Sequence, residues 1–491
     1  MQKPEFDFQK IKNIENLNFS EPEVKAEILN ILETLFKMVI SLKEENQVLK
    51  NEINQLKGEK GKPIIKGNTK KKDDDDTKPS GGLESGSNKK WLKDSKNDKI
   101  KIDHEKIIPL DKALLPLDIV FKGYQKVLIQ DIELKTNNVL YKLETFYSPS
   151  EHKSYTAEME DHLKNTAFGP VIKAFIATLY FENRVTENKI ASLLNSNKIR
   201  ISEGTVSNIL IHDKAEELSL ERKEIYTAGL NSSIYQQIDD TGMRVNGKNA
   251  YTTIVCNDFY SAFFINDNKN RETVKKILYN NYDLEQNNTK LMREAIFKIL
   301  VCDDAPQFDK VVLLCILCWI HEERHYKKLM PIFENHKEDV ERIRGEIWEY
   351  YKELKAYKLN PESNKKIELD LKFDKIFNQI TSYDELNHRL KLTLAKKEKL
   401  LLVLDYPEIP LHNNTSEIGV REWVIKRKIS GGVKTDAGKK AWENNLTITA
   451  TCKKNDISYF EYMKNIYLNC KTKLNLAVII AQKSISTKPI I

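Results

Sequence analysis

The segment that most restricts how this chain can fold runs from Ile234 to Asn257, IYQQIDDTGMRVNGKNAYTTIVCN. It reads as two strands joined by a tight turn, because Asn246-Gly247 suits a type I′ hairpin whose two central residues need φ > 0. The second arm is rich in β-branched and aromatic residues, and Phe259 to Ile265 reads as a third strand. Inside the first arm stand two carboxylates, Asp239 and Asp240. Adjacent acids are disfavoured in a strand, so the pair marks either a solvated edge or a place where chemistry is done.

Other acids favour chemistry. Ala295 to Cys302 is apolar and runs into Asp303-Asp304-Ala-Pro, so a second acid pair sits where a strand should end. Glu417 lies in Asn413-Asn-Thr-Ser-Glu417-Ile-Gly-Val-Arg421, at the start of an expected helix, with Lys426-Arg427-Lys428 beyond it. Carboxylates that converge repel one another unless a cation lies between them. Hard oxygen donors suit Mg²⁺, and two ions about 3.5–4 Å apart can hold both the attacking and leaving oxygens of a phosphodiester displacement. Alternation along a strand does not choose between Asp239 and Asp240, or between Asp303 and Asp304, since neighbours face opposite ways.

The pieces DDTGMRVNGK, LVCDDAPQF, CWIHEERHYKKL, NNTSEIGVRE, RKISGG and TATCKKNDIS, in this order, resemble the DDE transposases of the insertion sequence sixty-six family. The resemblance runs from the N-terminal helix to about residue 465. It implies a multidomain chain with an α/β ribonuclease-H-like catalytic core, a mixed sheet flanked by helices and split by a helical insertion. It selects Asp239, Asp303 and Glu417 as catalytic metal ligands, and makes Asp240 a replacement for the family's usual Glu. The implied cofactor is Mg²⁺, with Mn²⁺ as a substitute. The implied reaction is cleavage of DNA at an element's terminal inverted repeats and joining of the 3′-hydroxyl ends to target DNA. Other implied features are support of the core by Cys318-x-x-His321, a zipper-like N-terminal helix, and accessory proteins encoded by the same element. Two alternatives stay open: a catalytically silent, domesticated DNA-binding protein, and a ribonuclease-H-like nuclease that does not transpose.

Charge and periodicity fill in the remainder. The net charge of +7 conceals an asymmetry, since residues 418–491 hold 14 basic and 5 acidic side chains. A basic segment beside the third acid suits a DNA backbone, and Arg421, Lys426, Arg427 and Lys428 are its candidate phosphate contacts. Residues 22–57 carry a heptad with Ile28, Leu35, Leu42, Leu49 and Leu56 at d and Leu32, Val39, Asn46 and Ile53 at a. A single Asn in the seam fixes register and stoichiometry, so a parallel homodimeric coiled coil is expected. Residues 58–100 read as a polar linker. Residues 101–160 are β-prone, with no cysteine before Cys256, so the small zinc module usual in the family has no thiolates here and no zinc is expected.

Residues 161–230 read as helical, with a helix-turn-helix at Asn188 to Leu210. Ser202 is a plausible N-cap, and Glu203, Thr205, Ser207 and Asn208 would face base edges. The core is expected over 231–325 and 406–460, the insertion over 326–405, and a tail over 461–491. Pro306 to Leu313 is expected to be helical and Cys315 to His321 a buried strand. Cys315, Cys318, His321 and His325 have metal-like spacing, but buried free cysteines are common and no metal is expected there. The polar N-terminus does not read as a signal peptide, so none is expected. The longest apolar run, Val311 to Ile320, is too short for a bilayer span of about 20 residues. The expectation is a bacterial, cytoplasmic, nucleoid-associated protein without a membrane partner.

Overall fold

The computed structural model describes residues 22–56, 102–108, 123–125, 127–132, 135–279, 299–470 and 474–486. The chain divides into two units, one of residues 1–44 and 138–491 and the other of 45–137. The expected linker at 58–100, the side chains of Ile53 and Leu56, and the last five residues of the tail lie outside the described residues.

Helix α1 spans Pro22–Leu56. The described parts of 102–137 have no regular structure, and the β-prone region yields one hairpin, β1 (Thr145–Ser148) with β2 (Lys153–Thr156). Helices α2 (Pro170–Ala177), α3 (Glu187–Ser196), α4 (Glu203–Ile211) and α5 (Ala215–Asn231) follow, with one π-helical turn at Thr178–Glu182. Ser202 does cap α4, its hydroxyl accepting the Thr205 N–H at 3.1 Å, which satisfies a donor the helix itself leaves open. The later helices α14 (Tyr459–Tyr467) and α15 (Leu476–Ser486) pack on α2 and α5 respectively, so this helical layer draws on both ends of the unit.

The hairpin at the centre forms as its sequence requires. Strands β3 (Tyr235–Val245) and β4 (Lys248–Cys256) pair antiparallel around Asn246 and Gly247, whose φ values are 48° and 76°. Strand β5 (Ser261–Asn266) adds to β4, while β6 (Ile299–Cys302) and β7 (Leu314–Leu317) add in parallel on the other side. The order is β5-β4-β3-β6-β7. This mixed five-stranded sheet flanked by helices fits a ribonuclease-H-like core. Helix α6 (Arg271–Leu278) follows β5.

Two local expectations change. Residues 306–313 form turns, not a helix, and the strand after them stops at Leu317. Helix α7 (Trp319–Lys327) begins two residues later, because the Trp319 N–H is taken by Leu411 O at 3.0 Å and its indole by Leu400 O at 3.0 Å. The insertion is helical: α8 (Glu334–Leu359), α9 (Ser363–Phe377), α10 (Asp384–Leu394) and the single turn α11 (Lys397–Leu400). It shares an aromatic core of Trp319, Tyr350, Phe373 and Phe377 with α7.

Two helices return to the sheet, α12 (Asn414–Ser430) and α13 (Asp436–Lys454). The open edge of β5 exposes N–H groups that must be satisfied. Helix α13 supplies Thr451, Thr447 and Glu443 to the amides of Ser261, Phe263 and Ile265. Helix α12 lies on the face carrying Ile254 and Phe263. Gly419 allows that approach, since a Cβ there would lie 3.3 Å from Ile254. Trp423 stacks on Phe263 at 5.5 Å and meets Trp442 at 5.3 Å, locking α12 between sheet and α13.

Candidate active site

The ladders place the acids. Asp239 pairs with Ile254, and Ile254 with Phe263, so Asp239 points to the face covered by α12 because cross-strand partners share a face. In the parallel ladder Gln237 is opposite Val301. The ladder ends there; Asp303 directly follows β6, and its charge acts on Asp239. Glu417 sits in the first turn of α12, one residue pair before Gly419. The sheet and one helix thus bring Asp239, Asp303 and Glu417 together.

The neighbouring acids have partners of their own. Asp240 is held by Lys269 at 2.9 Å and by Gln307 at 2.6 Å, and Asp304 by Lys396 at 2.5 Å. Burial pushes the Asp239 carboxyl up to about 7, with Asp303, Asp240 and Glu417 adding to the rise and the Asp240 amide opposing it. Asp303 is raised as well, again chiefly by burial, against the Ala305 amide. Glu417 is half-buried and is gripped from α7: Arg324 donates to Oε2 at 3.3 Å, and His321 Nε2 lies 3.6 Å from Oε1. Among the described residues, the one trio of ligand atoms lying within 4.8 Å of each other is that of Cys318, His321 and Glu417. The three acids are not drawn that close. His325 and Cys315 stand outside the group.

The basic side chains divide. Arg421 and Lys428 are exposed on α12. Arg427 donates to Gly242 O and lines an open cleft of about 510 Å³ with Gly242, Arg244, Asn249, Tyr251, Gly431 and Gly432. No acid among the described residues lines this cleft. It begins two residues beyond Asp240 on β3, roughly 7 Å along the strand. Gly431 and Gly432, at φ 74° and 88°, turn the chain so that Val433 bridges to Val245 and closes one end.

Lys426 departs from the expectation. It is 1 % exposed, its Nζ lies 3.1 Å from the Tyr180 ring centroid, with Phe181 and Trp442 around it, and it donates to Tyr180 O. Burial lowers its pKa to about 7. Position i+9 from Glu417 turns inward, so this lysine is a core group and not a phosphate contact. On α4, Glu203 and Asn208 are exposed, while Thr205 and Ser207 are half-buried. Glu203 also accepts from Asn188 at 2.8 Å.

Arg244, Tyr251, Lys269, Gln307 and Arg324 were not singled out by the sequence. Arg244 and Tyr251 flank the hairpin turn, which was a usable signal. Lys269 and Gln307 reach Asp240 from separate loops, and nothing local announces that.

On α1 the heptad residues Leu35, Val39, Leu42 and Leu49 are between 48 and 57 % exposed, while Ile28 and Leu32 are half-buried. A face offset by one residue packs on the insertion through Leu29 and Glu33. Glu33 Oε1 accepts the amides of Ile332 and Phe333, and Oε2 lies 3.2 Å from His336 Nδ1.

No helix among the described residues is long and apolar enough to cross a membrane. The family model described as "Transposase IS66 family" matches residues 165–441. A curated relative, "Uncharacterized protein y4jO" of Sinorhizobium fredii (strain NBRC 101917 / NGR234), is 36% identical over 187 residues. That match covers 38% of this chain and 58% of the relative's length.

Proposed function

This chain belongs to the IS66 transposase family, whose model covers more than half of it, and on that premise we propose that it cuts DNA at the ends of a mobile element and joins them to a target. The observation that carries the reading is Asp239 on the sheet face beneath the Glu417 helix, pushed up to about 7 by burial with Asp303 and Glu417 adding to the rise. A carboxylate that is so poorly stabilised as an anion is one that a cation would stabilise.

All three donors are hard oxygens, which fits a Mg²⁺ or Mn²⁺ site. When bound, such ions supply Lewis acidity and lower the pKa of attacking water or a 3′-hydroxyl. The protein's own part is placement. Asp239 and Asp303 are fixed by the sheet, and Glu417 comes from a helix clamped by Trp423. Lys269 keeps Asp240 engaged. Release of Glu417 from Arg324 would let it turn to the two aspartates. Arg421, Lys428, Arg427 and Arg244 are the proposed phosphate contacts. Helix α4 is the proposed base reader, through Glu203, Thr205, Ser207 and Asn208. The heptad seam of α1, including Asn46, is the proposed homodimer contact, which would supply two protomers for two DNA ends.

The test is incubation of the full chain with duplex DNA carrying the element's flanking repeats, with Mg²⁺, Mn²⁺ or EDTA. Metal-dependent cleavage mapped to the repeat ends is expected. Absence of cleavage in either metal, despite tight repeat binding, would contradict the enzymatic reading.

A further inference from the structure

Beside the acid cluster lies a group with a different donor set: one thiol, one imidazole and one carboxylate, from Cys318, His321 and Glu417. We propose that these three residues form a second metal site, selective for zinc-class ions, which competes with the proposed catalytic centre for Glu417. The proposal rests on the reading of Glu417 as the third acid of that centre.

Three observations support it. Zn–N and Zn–O bonds of about 2.0–2.2 Å at a tetrahedral angle hold the two atoms roughly 3.3–3.5 Å apart. His321 Nε2 and Glu417 Oε1 are 3.6 Å apart, long for a hydrogen bond and near that spacing. Second, a cation already bridges these two groups. The Arg324 guanidinium reaches His321 Nε2 at 3.2 Å and Glu417 Oε2 at 3.3 Å. Arginine only donates, so Nε2 must accept. That contact engages the Nε2 lone pair, the one a metal would take. Arg324 is 46% exposed and can leave for water at little cost.

The third observation concerns how the ligands are held. Cys318 directly precedes α7 and His321 lies one turn on, so a short rigid segment presents both. The ring's other nitrogen, Nδ1, is buried with no partner among the described residues. Both side-chain polar atoms of Asn413, which is fully buried just before α12, lack one too. Soft thiolate ligation selects zinc-class ions over Mg²⁺. Binding displaces the thiol proton to solvent and leaves the fourth position for water. Glu417 then faces α7, away from Asp239 and Asp303.

Titration of the full-length protein with Co²⁺, without DNA, reads the site directly. A thiolate-to-cobalt charge-transfer band in the near ultraviolet and intense tetrahedral visible bands are expected. Cys318→Ser should remove the charge-transfer band, and His321→Gln should weaken Co²⁺ binding by roughly tenfold or more. Asp239→Asn should retain the thiolate-to-cobalt charge-transfer band. Because His321→Gln is an independent variant, misfolding of Cys318→Ser, checked by circular dichroism, does not end the test. A pale six-coordinate spectrum, or a thiolate band that survives Cys318→Ser, overturns the proposal. A second arm follows Mg²⁺-driven DNA cleavage as Zn²⁺ is added, each protein being compared with its own zinc-free rate. Wild type should be inhibited at concentrations at least tenfold below those needed for Cys318→Ser; equal inhibition overturns the competition. Failure of all cleavage would strike the transposase reading alone, since the cobalt spectrum is independent of it.

Discussion

Asp239 is the residue on which the account of the site turns, and its chemistry predicts a pH dependence. Its folded-state pKa of about 7 stands above the ordinary carboxyl value near 3.9. The metal-free fold therefore binds this proton more tightly than the unfolded chain, and loses stability as pH rises from about 4 to 7. A divalent ion must displace the proton, so Mn²⁺ affinity should fall roughly tenfold per unit below pH 7. Thermal melting with and without Mn²⁺ should show a larger stabilisation at pH 8 than at pH 5.5; equal shifts would contradict this. Lys426 has the opposite sign. Its pKa is depressed to about 7 by burial, with Arg184 also lowering it and Glu187 raising it. The lysine penalises the fold fully below pH 7 and ceases to do so above its unfolded value of about 10.4. Lys426→Met should gain stability relative to wild type as pH falls from 10 to 7, then hold steady. A melting difference that is flat with pH would count against it.

At the level of elements, the hairpin, the third strand and helix α4 were legible because each is written locally. Asn246-Gly247 demands positive φ, the strand residues are β-branched, and Ser202 is a capping side chain. The choice between adjacent acids was not legible, since it depends on the pairing of β3 with β4 and β6, which local pattern does not encode. Lys426 was misread for a related reason. A run of three basic residues on a helix must point one inward if that face is buried, and only the Tyr180 cage reveals which. The turn at 306–313 was mistaken for a helix because its apolar residues are buried by neighbours instead of by an amphipathic face. Gly419 carries an element-level prediction. Gly419→Val should push α12 off Ile254 and lower metal-dependent cleavage about tenfold or more, with DNA affinity little changed. Undiminished cleavage would show that the spacing of helix and sheet is not limiting. Glu33→Ala should cost about 1–2 kcal/mol, because it removes the side-chain acceptor from two amides at the start of α8. Urea unfolding measures it.

On the scale of the whole molecule, three features point the same way: a basic stretch beginning at the third acid, a sheet that converges two aspartates with a helix-borne glutamate, and a stripe of exposed apolar side chains on α1. If α1 dimerises through that stripe, Asn46→Val should strengthen association but loosen its stoichiometry. Sedimentation showing the same dimer as wild type would remove that role from Asn46. The central claim is that Asp239, Asp303 and Glu417, and not Asp240 and Asp304, carry metal-dependent cleavage. It is tested most directly by comparing Asp239→Asn, Asp303→Asn and Glu417→Gln with Asp240→Asn and Asp304→Asn on repeat-end DNA in Mg²⁺ and Mn²⁺. Losses of about a hundredfold or more are expected in the first three and retained cleavage in the last two. Cleavage that survives in Asp239→Asn and disappears in Asp240→Asn would contradict it.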